Sequence, residues 1–218
     1  MNNGNRRSNT GRPGPALPAV IILAGAILLF PALAWARETA SFYGVGLDAS
    51  FLFIYLPARL LALLGLTLMF FQFLLSARFP PVERHFKRSA MLKTHRSLGK
   101  IAYIMVLLHG LGMIAFDIVA AGEVYWYREN IAGLIALVLL TLAVLAAWFF
   151  KPLRLSLGQW RAIHLFTYLV FPIVIWHALM LGSTVNAVPS LRYLLYFFLA
   201  GYCLVVIHRL YRRLTGKK

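Results

Sequence analysis

Four of the six histidines in this chain fall in a repeated arrangement. His95 and His109 are fourteen positions apart in HRSLGKIAYIMVLLH, and His164 and His177 thirteen apart in HLFTYLVFPIVIWH. On a helix, fourteen residues rise about 21 Å and return to within about 40° of the same face, while thirteen rise about 19.5 Å. Two such helices side by side set His95 level with His164, and His109 level with His177. Neutral imidazole is a common metal ligand and a standard axial ligand of porphyrin iron. Two imidazoles facing each other at each of two depths could hold two iron porphyrins, one above the other. The thirteen-residue interval carries a misfit: an ideal helix turns His177 about 140° away from His164. Pro172 lies between them and removes the hydrogen bond to the Tyr168 carbonyl, so a kink there is expected to re-aim the later half.

The elements that must carry these residues are legible in the composition. Of 218 residues, 61% are hydrophobic and 13% charged, against roughly 45–50% and 25% in ordinary globular domains. Mean hydropathy is +0.77. Six apolar stretches stand out, at about 17–36, 51–75, 97–119, 131–150, 160–181 and 191–207. Each is long enough to cross about 30 Å of hydrocarbon, and helices are the open-chain structures that satisfy their own backbone there. The expected fold is all-α: an integral membrane bundle of six transmembrane helices joined by short loops, spanning residues 16–218. Residues 1–15, rich in Gly, Asn and Pro, read as a disordered basic tail. Ala34-Trp35-Ala36 resembles a leader cleavage site, but the preceding apolar run exceeds the usual 7–15 residues, so retention is expected. A disordered protein, a disulfide scaffold and a soluble nucleotide-binding enzyme are excluded. The single Cys203 permits no intrachain disulfide, and neither a CxxCH nor a cysteine cluster is present.

Net charge is +16, which raises the question of nucleic acid. The placement of the charges answers it. Eighteen of the 22 basic residues fall in the tail, the second and fourth loops and the C-terminus, all on one side of the predicted membrane. The opposite side holds Arg37, Arg128 and Arg192 together with five of the six acids. This is the positive-inside pattern, placing both termini in the cytoplasm. The basic excess then reflects topology and contact with anionic membrane lipid, with no need for nucleic acid.

Ionisable side chains inside a membrane are costly and point to function. An isolated histidine could be an ordinary hydrogen-bonded core residue, but four at matched heights argue against that for the set. His95 is the weakest member, because it stands at the basic edge of its helix. His208 reads as interfacial and His85 as solvated. Arg59 lies inside the second span; it either snorkels to the surface or pairs with a haem propionate, to which a guanidinium is well matched. Trp160 and Arg161 read as interfacial anchors. Gly99, Gly110 and Gly112 either admit a flat macrocycle or allow close helix packing.

HRSLGKIAYIMVLLH followed by QWRAIHLFTYLVFPIVIWH resembles the ferric reductase-like transmembrane domain family. That family includes ferric-chelate reductases, NADPH oxidases and the haem-binding membrane subunit of the periplasmic methionine sulfoxide reductase system. The resemblance covers about residues 50–182. It rests on Arg96-x-Leu98-Gly99 before His109 and on Trp160-x-x-x-His164 before the spaced pair. It implies that His95 and His164 ligate a cytoplasmic-side haem b, that His109 and His177 ligate an outer one, and that Arg59 contacts the cofactor. The small methionine sulfoxide reductase subunits typically lack a histidine at the place of His95, so its presence leans toward the two-haem pattern. Larger relatives append a flavin and nicotinamide module, whereas no GxGxxG follows a strand here. The expected function is therefore electron transfer across the inner (plasma) membrane to an external or periplasmic acceptor. The donor would be a separate cytoplasmic flavoprotein reductase or quinol, with flavin present only through that partner. The competing expectation is a small transporter or channel with histidines on a proton or metal path; few intramembrane acids and no inverted repeat speak against it.

Overall fold

The architecture described below is that of a computed structural model, which describes residues 16–42, 44–77 and 86–216. The expectations for the 1–15 tail, and for Arg78, Arg84 and His85, fall outside these residues. All regular structure among the described residues is helical. Helix α1 covers Ala16–Ala40, and a π-helical turn over Phe51–Tyr55 leads into α2, Leu56–Ser76. The long α3 runs Arg88–Ala121 and α4 runs Arg128–Trp148. The fifth span is divided into α5, Leu157–His164, and α6, Thr167–Leu181. A short α7, Ser183–Ala187, precedes α8, Pro189–Leu214. Six of these stretches are long and apolar enough to cross a membrane, as the hydropathy pattern requires.

Local chemistry accounts for the boundaries. Gly122 ends α3 in the left-handed region at φ 78°, its N–H returning to the Ile118 carbonyl, the usual role of a glycine after a helix. Ser156 opens α5 with a capping box: its Oγ accepts from the Gln159 N–H at 3.2 Å, and Gln159 Oε1 accepts from the Ser156 N–H at 2.8 Å. Pro57 and Pro189 stand in the first turns of α2 and α8, where a missing N–H costs nothing.

Helix α2 is the axis of the bundle. It packs along α3 and also touches α1, α6 and α8, and its buried face includes Leu66, Phe70 and Phe73. Phe70 stacks on Phe198 at 4.4 Å between ring centres, and Phe73 meets Phe171 and Tyr202 edge-on at 4.9 and 5.1 Å. Small residues bring backbones together: a Cβ on Gly65 would stand 2.8 Å from Val106, and one on Gly201 2.9 Å from Phe70. Gly110, against Leu137, and Gly112, against Ala58, serve the same close packing. Large apolar side chains on α1 and α8, such as Leu23, Leu33, Leu204 and Ile207, point outward, as they do when the surrounding solvent is lipid.

The fifth span is interrupted at 165–166, between α5 and α6 and ahead of Pro172. After His164 the backbone bonds are three residues apart: Phe166 N–H to Ile163 O, Tyr168 N–H to Leu165 O and Leu169 N–H to Phe166 O. This is 3₁₀-type winding, at about 120° per residue instead of 100°. Such tightening turns the later half in the sense that a thirteen-residue spacing needs. Pro172 lies within α6. The carbonyl it cannot serve, that of Tyr168, accepts instead from the Tyr202 hydroxyl of α8 at 2.6 Å.

Candidate functional site

Helices α3 and α6, with the end of α5, bring the four histidines together as two facing pairs. The ring centres of His95 and His164 are 6.3 Å apart, with planes at 71°. Those of His109 and His177 are 6.4 Å apart at 66°. We refer to these as the inner and outer tiers, after the expected orientation. A direct N–H···N hydrogen bond between imidazoles would bring the centres to about 5 Å, given about 2.9 Å between heavy atoms. One metal bonded to both rings requires about 6.3 Å, from two metal–nitrogen bonds of about 2.0–2.1 Å and the distance from each nitrogen to its ring centre. The rings of both tiers are thus too far apart to hydrogen-bond each other directly, and their separation matches that of two imidazoles on one metal.

The outer tier is held from behind. His109 donates Nδ1–H to the Ala58 carbonyl of α2 at 3.1 Å, and His177 donates Nδ1–H to the Glu129 carbonyl of α4 at 2.7 Å. An Nδ1 hydrogen bond to a carbonyl fixes the tautomer and leaves the Nε2 lone pair free, which is the usual outer support of a ligating histidine. Gly133, one turn beyond Glu129, leaves room for the His177 ring: a Cβ there would stand 2.8 Å from Cε1 and 2.9 Å from Nδ1. Around this pair lies an open-mouthed cavity of about 230 Å³. Arg59, Leu137 and Thr184 line it, and it reaches Tyr125 and Trp126 of the α3–α4 loop.

The inner tier is built differently. Nδ1 of His95 and of His164 are both buried without a hydrogen-bond partner. The Gln72 backbone faces His95, just as Ala58, fourteen residues earlier on α2, faces His109. The Gln72 side-chain amide is itself buried with neither atom partnered. His164 is steadied instead by Trp160, one turn before it, whose indole stacks on the imidazole at 5.5 Å and 18°. Trp160 is thus a neighbour of a paired histidine, beyond the interfacial anchoring expected of it.

Arg59 is 8% exposed and lies in the wall of the outer cavity. Its Nη2 donates to the Glu38 carboxylate of α1 and, at 2.5 Å, to Thr184 Oγ1, while its Nε is buried without a partner. The sequence alone did not pair it with Glu38. Trp35 of α1 adds a hydrogen bond from Nε1 to the Leu56 carbonyl at 3.0 Å. Sequence reasoning also missed the carbonyls of Ala58 and Glu129, which leave no mark in residue type. The one available signal for Gly133 was a lone glycine in an apolar helix, where it costs about 1 kcal/mol relative to alanine.

No group of three or more His, Cys, Asp or Glu side chains suited to a metal ion occurs among the described residues. Two imidazoles complete an axial pair but leave a bare ion short of ligands.

The fold is a six-span helical bundle that carries two tiers of facing histidines. Residues 61–175 match the family described as "Ferric reductase like transmembrane component", and the chain belongs to that family. Neither a curated protein nor a solved structure is matched. Family membership gives the chain a membrane electron-transfer role in general terms, as a multi-pass oxidoreductase component.

Proposed function

We propose that this protein is a haem b electron-transfer subunit of the cytoplasmic membrane, with His95 and His164 ligating an inner haem and His109 and His177 an outer one. The observation that carries the reading is the separation of the ring centres, 6.3 and 6.4 Å, the span of two imidazoles on one iron. Two further features support it. The Nδ1 bonds of His109 and His177 leave Nε2 as the ligating atom, and neither tier gathers enough protein ligands for a bare ion. When bound, haem supplies one-electron redox chemistry at each tier. The four imidazoles would hold the group, and the carbonyls behind His109 and His177 together with the burial of the pairs would set its redox properties.

Electrons would enter from a separate cytoplasmic flavoprotein reductase or from quinol and leave to an external acceptor. Arg59, in the outer cavity wall with Nε unpaired, is the residue suited to a haem propionate there. The competing reading, a transporter with histidines on a proton or metal path, leaves the matched separations without a cause.

A reduced-minus-oxidised absorption spectrum of the purified protein, with haem counted per chain, tests the proposal. Two b-type haems are expected in the wild type, falling to one in His95→Ala and in His164→Ala. A colourless protein from haem-replete cells overturns it and favours the transporter.

A further inference from the structure

Histidine ligands on helices are steered by what lies behind them, and behind His177 lies the backbone of α4. Glu129 and Gly133 are one turn apart on that helix, and both touch the same imidazole. The Glu129 carbonyl takes the Nδ1–H at 2.7 Å. At Gly133 the ring lies where a side chain would begin, with a would-be Cβ 2.8 Å from Cε1, 2.9 Å from Nδ1 and 3.3 Å from Nε2. Non-bonded carbon atoms prefer about 3.5–4.0 Å, so the two cannot coexist without a shift. An exposed side-chain tip yields cheaply, but this ring cannot retreat. It is bonded to Glu129 on one edge and faces His109 across 6.4 Å on the other. Any displacement by a new methyl group alters both the Nδ1 bond and the aim of Nε2.

Gly110 makes a contrast. A Cβ at Gly110 would meet only the Cδ2 tip of Leu137, at 2.9 Å, a group with rotamers to spare.

We propose that Gly133 is a positioning residue of the outer tier: the absence of its side chain seats the His177 imidazole against α4 and directs Nε2 to the outer iron. The inference rests on the haem reading above and deepens it, by assigning the outer ligand's orientation to a residue that is neither a ligand nor polar. The effect belongs to one tier, because Gly133 lies against His177 and not against His164.

Full-length Gly133→Ala and the double variant Gly133→Ala/His177→Ala, purified from haem-replete cells beside wild type and His177→Ala, provide the test. The readouts are haem per chain, the ferric paramagnetic resonance signals of the two haems, and their midpoint potentials. In Gly133→Ala the outer signal is expected to shift or vanish, haem per chain tending from two towards one, while the inner signal and potential stay at wild-type values. With the ring removed, the three nearest contacts of the new Cβ are gone, so the double variant should match His177→Ala in yield and haem content even if Gly133→Ala accumulates poorly. An unchanged outer signal in Gly133→Ala overturns the inference. So does a double variant that falls as far below His177→Ala as Gly133→Ala falls below wild type, because the alanine then disturbs helix packing, not the imidazole. A wild-type protein without haem sinks the functional reading instead, so the two failures are distinguishable.

Discussion

The imidazole planes of His109 and His177 are inclined at 66°, with their centres 6.4 Å apart, and the inner pair repeats the arrangement at 71°. Were each pair to hold a haem iron as proposed, imidazole planes so steeply inclined to one another would leave the iron orbitals they bond close in energy. Ferric haems held in this way give strongly anisotropic low-spin resonance signals, unlike those of parallel imidazoles. Two such signals are expected from the oxidised protein. His109→Ala and His177→Ala should each abolish the same one, and His95→Ala and His164→Ala the other. Any other pairing of losses would contradict the assignment of ligands to tiers.

Trp160 and His164 form a near-parallel stack at 18°, a contact worth about 0.5–1.5 kcal/mol beyond burial. Because His164 Nδ1 lacks a hydrogen-bond partner, the stack is the restraint that holds its ring plane. Trp160→Ala should alter the inner resonance signal and potential and leave the outer ones unchanged, while Trp160→Phe should restore most of the wild-type signature. Equal effects on both tiers would mean a general loss of packing.

The buried Arg59–Glu38 pair ties α1 to α2. Removing one partner strands a charge in a low-dielectric site, which typically costs about 3–5 kcal/mol. Glu38→Gln should therefore lower thermal stability in detergent sharply, whereas Arg59→Met/Glu38→Met should recover much of the loss. If Glu38→Gln melts like wild type, the pair contributes nothing to the fold.

Tyr202 supplies the hydrogen bond that Pro172 denies to the Tyr168 carbonyl. Tyr202→Phe leaves that acceptor unpaired, at a cost of about 1–3 kcal/mol. A lowered melting temperature with haem content unchanged is the expected outcome, and an unshifted melting temperature would show that the contact is dispensable.

Much of this was legible in the sequence. Apolar runs of membrane-spanning length fixed six helices, and the intervals between His95 and His109 and between His164 and His177 predicted which imidazoles would meet. What stayed hidden was carried by backbone or by absence. The acceptors for His109 and His177 are main-chain carbonyls, which any residue type could provide. The seat under His177 is the missing side chain of Gly133. The tightened winding at 165–169 also stayed hidden, because a proline announces a lost hydrogen bond whereas a change of helical pitch has no residue signature. Arg59 was visible as a costly buried charge, but its partner Glu38 lay one span away.

The pairing of α2 with α3 has a further consequence. Ala58 lies against His109 and Gln72 against His95, so both floors of the protein are marked off by the same fourteen-residue ruler on two antiparallel rods. Such a ruler tolerates exchanges of side chain but not changes of count. Inserting or deleting a single residue between the marks on either rod would swing one floor by about 100° relative to the other, so lineages that carry both floors should vary in composition here far more readily than in length.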